Sequence, residues 1–505
     1  MIAPSAIKKI IIVGGGSAGW MTAMILADTQ IKKGIEISVL ESPSVGVIGV
    51  GEGSTPILKN FFDSLGIEET EWMPECNATY KSGITFDKWS TKPGFESYFH
   101  QFVTMVDNLT LPTFIKNVRA RLNGADVHAH PNRFFLSSHL ANNNLAPKAD
   151  HNFPFFTTYG YHFDAMLLGA FLKKKALERG VKYVSCHVVD AQLDQQGNIA
   201  SVTTKEGEVH SADFFIDCSG FSALLIDKVL ATPFVSYSSN LLNDAAVAMP
   251  TPIGDAIPSQ TISTALKYGW AWKIPLTNRF GNGYVYSSAF CSADQAEQEL
   301  REKLGQLDAD TPARHLKMKI GRVVKHWNKN CLAVGLSQGF LEPLEATALY
   351  LTQMTAAIFV LFFDKGDFSE AAQDIYNQQI NEYFDGHRDY IVAHYKTNSR
   401  TDTDYWRANA ANLDGMSDSL KHIFSTWLEG KDLAAEIRRQ NIEMYYPIPS
   451  WYALMAGMGI FPASIKSSPD NHQMEKNEMA YWDDFMQRCT LNFKDHRTVL
   501  STVRV

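Results

Sequence analysis

Cysteine is scarce in this chain: six in 505 residues, at positions 76, 186, 218, 291, 331 and 489. No two form a CxxC pair or a metal-ligand spacing. That excludes a disulfide framework and a thiolate metal site, and it fits reduced thiols in a cytoplasmic protein. Basic runs are missing as well. The chain carries 46 Lys and Arg against 54 Asp and Glu, a net charge of −8, so nucleic acid is not the expected partner. No stretch reaches the roughly 18 continuous apolar residues of a bilayer span. The nearest, Met354 to Phe363, reads as a buried helix, and no membrane partner is expected. The N-terminus runs straight into a strand pattern, without the charged and apolar regions of a signal peptide. Repeats and low-complexity linkers are absent too, which leaves domain boundaries soft.

What the chain has is size and aromatic content: 45% hydrophobic residues, with 10 Trp, 30 Phe and 19 Tyr. That is ample for a large core and for stacking pockets, since a core also consumes rings. Ile7 to Val13 reads as a buried parallel strand. It ends in Gly14-Gly15-Gly16-Ser17-Ala18-Gly19 and is followed by a helical pattern to about Asp28 and a strand from Ile35 to Leu40. This βαβ unit opens a doubly wound α/β domain.

Gly14, Gly16 and Gly19 fit GxGxxG. The first permits the tight turn, the second lets a pyrophosphate approach the backbone, and the third brings helix and strand together. The N–H groups at the helix start, from Ser17 and Ala18, attract phosphate. Glu41 follows Gly19 by 22 residues and suits a ribose diol. FAD and NAD share this fingerprint. The later strand ends at Phe214 to Gly220 and Ala333-Val334-Gly335, with Glu342-Pro343 leading to a helix, favour FAD in the fold of aromatic hydroxylases.

Elsewhere, residues 80 to 160 read as irregular and aromatic, Phe163 to Arg179 as a helix, and Val181 to Thr204 as two strands joined at Gln196-Gly197. Residues 260 to 290 read as antiparallel strands. A long apolar helix is expected from about Glu345 to Phe363, and mainly helix beyond about 370. The expected organisation is a core over 1–370 and a helical region over 371–505 that closes a substrate pocket.

Four segments narrow the family. Gly269-Trp270-Ala271-Trp272-Lys273-Ile274-Pro275 carries Trp-x-Trp-x-Ile-Pro. Glu342 to Ala348, Thr79 to Gly83, and the glycine-rich Gly49 to Pro56 accompany it. Together they resemble the flavin-dependent tryptophan halogenases, in register from about residue 7 to 365. Tyr161 to Asp164 and Tyr284 to Ser287 share the resemblance.

The resemblance implies an FAD-dependent halogenase. Halide and an electron-rich ring are both nucleophilic, so halide must first lose two electrons. Reduced flavin (FADH2) and O2 would supply that oxidation and yield hypohalous acid. Val50, Gly51, Val188, Gly335, Leu336 and Leu351 are implied as flavin contacts beside the glycine loop. Thr347 and Ala348 would offer backbone N–H groups to chloride or bromide. The family has glycine where Ala348 stands, and the added methyl crowds the anion. Lys81 would hold hypohalous acid as an ammonium, or carry the halogen as a haloamine. Glu345 would orient the halogen donor or take the ring proton. Trp270 and Trp272 would wall flavin from substrate.

By the same resemblance His100 and Phe102 would line the substrate pocket, which Tyr445, Tyr446 and Trp451 would close. No acid follows the Tyr445-Tyr446 pair to meet an amino acid's ammonium, which favours an indole derivative or a larger aromatic over free tryptophan. A separate flavin reductase is the implied partner, a homo-oligomer is possible, and no metal is expected. A flavin-dependent aromatic hydroxylase is the alternative, but it has no use for Lys81, Glu345, Trp270 and Trp272. A flavin-binding module without catalysis would have no use for a buried Lys81.

Overall fold

Strand β1 (Lys9–Val13) is apolar at every position after its first, and the computed structural model buries both of its faces. The structure describes residues 7–44, 46, 51–150, 152–462 and 469–503. Successive strand residues point to opposite faces, so Ile10 and Ile12 enter the main core while Ile11 and Val13 enter a second one. After β1 come α1 (Ser17–Gln30), β2 (Glu36–Glu41), β3 (Thr79–Lys81), β4 (Gly83–Asp87), β5 (Ser97–Gln101) and β6 (Gly160–Phe163). Then follow α2 (Ala165–Glu178), β7 (Lys182–Ser185) and β8 (Phe214–Asp217). The later elements used below are β9 (Ala245–Pro252), β10 (Thr261–Ala265), β11 (Gly269–Pro275), β12 (Arg279–Tyr286), β13 (Arg314–Lys317), β14 (Cys331–Ala333), α3 (Ala348–Lys365), α4 (Glu370–Thr397) and α5 (Ile448–Gly457).

Strands β14, β8, β1, β2 and β7 form a parallel sheet in that order. One face carries α1, which packs on α2 and α3. The other face carries a three-stranded sheet built from Val188–Leu193, Ile199–Thr204 and Val209–Ser211. Its first turn falls at Asp194–Asn198, as Gln196-Gly197 predicts. The stretch read as two strands holds three, because β7 leaves to pair with β2.

A seven-stranded sheet lies beside this unit in the order β13-β9-β12-β11-β10-β4-β5. The segment expected to be irregular supplies β4 and β5, with helices at Leu111–Leu122 and Leu136–Asn142. It hides its strand pattern because β5 is buried at every position after Ser97, leaving no alternation to read. Gly83 lets β4 approach β5, since a Cβ there would lie 2.3 Å from the His100 carbonyl oxygen.

The helix expected from Glu345 starts at Ala348. Pro343–Glu345 is a separate 3-10 turn, and Ala346 takes a left-handed φ of 57° that breaks the run. α3 is long and apolar enough to cross a membrane by length and composition. Here its apolar residues, Leu351, Ile358 and Phe359 among them, are buried in the main core. The C-terminal region is mainly helical, but Phe493–Asp495 returns to pair with Leu145–Ala149.

Candidate active site

The glycine loop is built as its spacing requires. Gly14 has φ 112°, and a Cβ on it would lie 2.2 Å from the Cys218 carbonyl oxygen. One on Gly19 would lie 2.0 Å from the Gly14 carbonyl oxygen. Gly16, the N-cap of α1, has extended backbone and nothing within 4 Å of its Cβ position. No side chain caps α1, so the N–H groups of its first turn stay open to an anion. Glu41 lies against Gly15 and pairs with Lys173 at 2.7 Å. Gly335, with φ 74°, closes on Ala18, where its Cβ would come within 2.6 Å of the Ala18 Cβ. The late strand end thus meets the first turn of α1, and this set fits the phosphates and ribose of FAD. Leu336 sits half-buried in the turn after β14, and Leu351 is buried in the first turns of α3. Val188 lies at the edge of the second core, away from Leu351 in the first. Val50 lies outside the described residues. Gly51, with φ 119°, rests 3.5 Å from Leu276 by its Cβ position.

Lys81 closes β3 and is fully buried. Its ammonium donates to the Ser54 carbonyl oxygen at 3.1 Å and lies 5.5 Å from the centre of the Phe102 ring. Gly53 leaves room for it, since a Cβ there would stand 3.2 Å from Nζ. Burial pulls the Lys81 pKa down to about 7, against the opposing pull of the Glu345 carboxylate. The neighbouring His162 stays neutral: burial and the Lys81 charge hold it well below the usual range. Thr79 donates to the Pro275 carbonyl at 2.7 Å, which leaves its oxygen to accept from His162 Nδ1 at 3.1 Å. His162 Nε2 then accepts from Thr261 at 2.9 Å.

Glu345 hangs from the 3-10 turn. The left-handed bend at Ala346 costs on the order of 1–2 kcal/mol, and it lets Glu345 point inward while α3 departs. His100 Nδ1 reaches both carboxylate oxygens at 2.9 and 3.0 Å. His394 Nε2 lies 3.0 Å from one of them. Burial alone would raise this pKa. The His100 and His394 contacts outweigh burial and bring it to about 2. Thr347 is the N-cap of α3, again with no side-chain cap, and Ala348 is exposed beside it.

The pocket side differs in detail from its sequence reading. His100 uses both ring nitrogens, the second facing Ser450 Oγ at 2.9 Å. Tyr446 stacks on Tyr390 with centroids 3.6 Å apart, and Trp451 meets Tyr390 edge-on at 4.9 Å. The Tyr446 hydroxyl and the Trp451 indole N–H are buried without a partner. Tyr445 is half-buried and packs on Tyr383. Trp270 and Trp272 share one face of β11, centroids 6.2 Å apart, both N–H groups unpartnered. Gly283 opposite Trp272 clears space for its ring, since a Cβ there would lie 2.1 Å from it.

The structure therefore gathers Lys81, Phe102, Glu345 and His100, with Tyr446 packed against His100 and Trp451 one contact further through Tyr390. Sequence reasoning missed Ser54, His162, Tyr390, His394 and Ser450. The only signal for His394 is its place in the short run Tyr390 to Tyr395, where it is the one strongly polar residue at the buried end of an otherwise polar helix.

The sequence pattern of tryptophan halogenases matches residues 9–474. The tryptophan 6-halogenase SttH of Streptomyces toxytricini is 35% identical over 506 residues, covering 94% of each chain. Its crystal structure matches with a TM-score of 0.84, covering 98% of this chain and 100% of that one at 32% identity. The 7-chloro-L-tryptophan 6-halogenase KtzR of Kutzneria sp. (strain 744) is 39% identical over 439 residues, 82% of this chain and 84% of its own. BrvH, a flavin-dependent halogenase from Brevundimonas sp. BAL3, matches with a TM-score of 0.85 and 29% identity, covering 99% and 100%.

Proposed function

The chain belongs to the tryptophan halogenase family and is a flavin-dependent halogenase, and from that premise we propose that it halogenates an indole derivative, with Lys81 holding the halogen donor. The observation that carries the reading is the full burial of Lys81 beside Phe102 and the Glu345 carboxylate. A buried ammonium is costly and has no structural use here beyond one carbonyl. When bound, reduced FAD with oxygen supplies the two-electron oxidation that converts halide to hypohalous acid. Gly14, Gly16, Gly19, Glu41, Gly335 and Leu336 hold the cofactor, joined by Val50, Gly51, Val188 and Leu351. The N–H groups of Thr347 and Ala348 hold the halide.

Lys81 acts as the ammonium: an acceptor carbonyl and a ring face lie against it and the Glu345 carboxylate pulls the same way, all three favouring a cation against the opposing effect of burial. It donates a hydrogen bond to hypohalous acid and draws electron density from the halogen. Glu345 stays ionised and stabilises positive charge on the attacked ring. That ring is a strong acid, so even a weak carboxylate base suffices for its proton. Trp270 and Trp272 separate flavin from ring. His100, Phe102, Tyr445, Tyr446 and Trp451 line the pocket, and the unpartnered Tyr446 and Trp451 donors suit a substrate carrying an acceptor. FADH2 arrives from a separate flavin reductase. Buried, unpaired cysteines support a reducing cytoplasmic setting. The methyl of Ala348 favours the more easily oxidised bromide over chloride.

The test is a panel assay with a flavin reductase, read by mass spectrometry. It offers chloride, bromide and iodide against indole, substituted indoles, L-tryptophan and phenols. Brominated indoles are the expected main products. Turnover of L-tryptophan alone, or hydroxylated products without halogen, overturns the substrate reading.

A further inference from the structure

Three consecutive lysines, Lys173, Lys174 and Lys175, stand in the second half of α2. Lys174 pairs with Glu75 at 2.8 Å, and Lys175 with Glu178 at 2.9 Å and with Glu71. None of those glutamates belongs to β2 or to the loop between β1 and α1. Lys173 alone turns to that loop. Gly169, four residues earlier on the same face of α2, has its Cβ position 3.7 Å from both the N and the Oγ of Ser17 at the start of α1. One helical turn on, the Lys173 ammonium donates to Glu41 Oε2 at 2.7 Å. Two rings fix it there. Nζ lies 3.4 Å from the centre of the Tyr183 ring on β7 and 5.6 Å from that of Trp20 on α1, and such faces attract a cation. With Oε2 taken, the other oxygen of Glu41 lies over the glycine loop: Oε1 is 2.5 Å from where a Cβ on Gly15 would stand. Only glycine at position 15 admits the carboxylate so close to the phosphate site.

We propose that Lys173 is a positioning residue for FAD: held between Tyr183 and Trp20, it keeps one oxygen of Glu41 so that the other faces the adenosine ribose diol. The inference rests on the reading of Glu41 as the ribose acid. Lys173 does two things at once. It fixes a long side chain that is otherwise free to turn to solvent, since Glu41 and Lys173 are both partly exposed. It also offsets a negative charge that stands beside the site of two further negative charges, those of the pyrophosphate. Without it, Glu41 is unaimed and repels the phosphates, so FAD loses both the ribose contact and part of the phosphate contact. The isoalloxazine side of the site, with Lys81 and Glu345, is untouched.

The test titrates the full-length parent, Lys173→Met and Lys173→Arg with two ligands by fluorescence. One is FAD and the other is FAD lacking the 2′-hydroxyl of its adenosine ribose. The parent should bind FAD about tenfold tighter than the deoxy analogue, the value of one hydrogen bond to a charged group. Lys173→Met keeps the apolar stem over Tyr183 but removes the charge and the donors. It should bind FAD about tenfold more weakly than the parent, and its affinities for the two ligands should come within about twofold of each other. Lys173→Arg should keep the preference, because a guanidinium retains the charge and stacks on a ring. A merely structural loss would weaken both ligands alike and leave their ratio standing. Should Lys173→Met fail to fold, Lys173→Leu is read in its place. A Lys173→Met protein that keeps the tenfold preference, or that binds FAD as tightly as the parent, overturns the proposal. A parent that does not distinguish the two ligands overturns the ribose reading of Glu41 itself.

Discussion

At the residue scale the molecule is organised around one charge taken out of water. Burial of Lys81 lowers its pKa to about 7, below that of the unfolded chain. The unfolded state therefore binds the proton more tightly, and stability rises with pH from about 7 toward the ordinary lysine range near 10.4. Below about 7 the full penalty of the buried ammonium is present, on the order of a few kcal/mol. Lys81→Met should then melt at higher temperature than the parent at about pH 6, with an advantage that shrinks by about pH 9. Equal stability differences at the two pH values would mean that Lys81 is not the group titrating. The same variant should lose halogenated product while FADH2 is still oxidised by oxygen, read by stopped-flow beside product analysis. Normal product from it removes the centre of the mechanism. In the parent, product per flavin should fall as pH rises above about 7, because the amine cannot donate to an acceptor as the ammonium does. A rise instead would favour the haloamine route. Glu345→Gln should cost less than the lysine change, since an amide still orients the halogen donor.

At the element scale, the loop between β1 and α1 and the turn before α3 do similar work. Both present an uncapped helix N-terminus, and both need special backbone just upstream, at Gly14 and at Ala346. Gly16 offers a clean test. Its backbone is extended and its Cβ position is open, so Gly16→Val should fold with a melting temperature within a few degrees of the parent. The branched side chain occupies the phosphate approach, and FAD affinity should fall at least about tenfold by fluorescence titration, about 1.4 kcal/mol. Unchanged affinity would show that the pyrophosphate lies elsewhere. Gly14 or Gly19 could not serve here, because a Cβ at either runs into backbone at about 2 Å.

At the scale of the whole molecule, the C-terminal segment reaches back to the site. His496 is fully buried; its Nδ1 donates to the Ile257 carbonyl at 3.0 Å and its Nε2 accepts the Tyr80 N–H at 3.1 Å. Tyr80 precedes Lys81, so residues 415 positions away in sequence help fix the lysine. His496→Leu strands that N–H, which should cost about 1–3 kcal/mol in urea unfolding. Product per flavin should drop while FAD affinity holds, because β1 and α1 are untouched. Loss of FAD binding at full stability would contradict this separation. The limits of the sequence follow from the same geometry. Local spacing determined the glycine loop and Glu41, because a turn is set by neighbours a few residues away, whereas the paired tryptophans and the segments holding Lys81 and Glu345 were legible only through their resemblance to the tryptophan halogenases. The strands of residues 80 to 160 stayed hidden because strands buried on both faces lose their alternation. The true start of α3 stayed hidden because a left-handed alanine carries no signature of its own. Only the tertiary structure brought His100, His394 and Ser450, from a strand and two distant helices, around Glu345. It alone set the direction in which the Lys81 and Glu345 pKa values move, since that depends on burial and on partners hundreds of residues away.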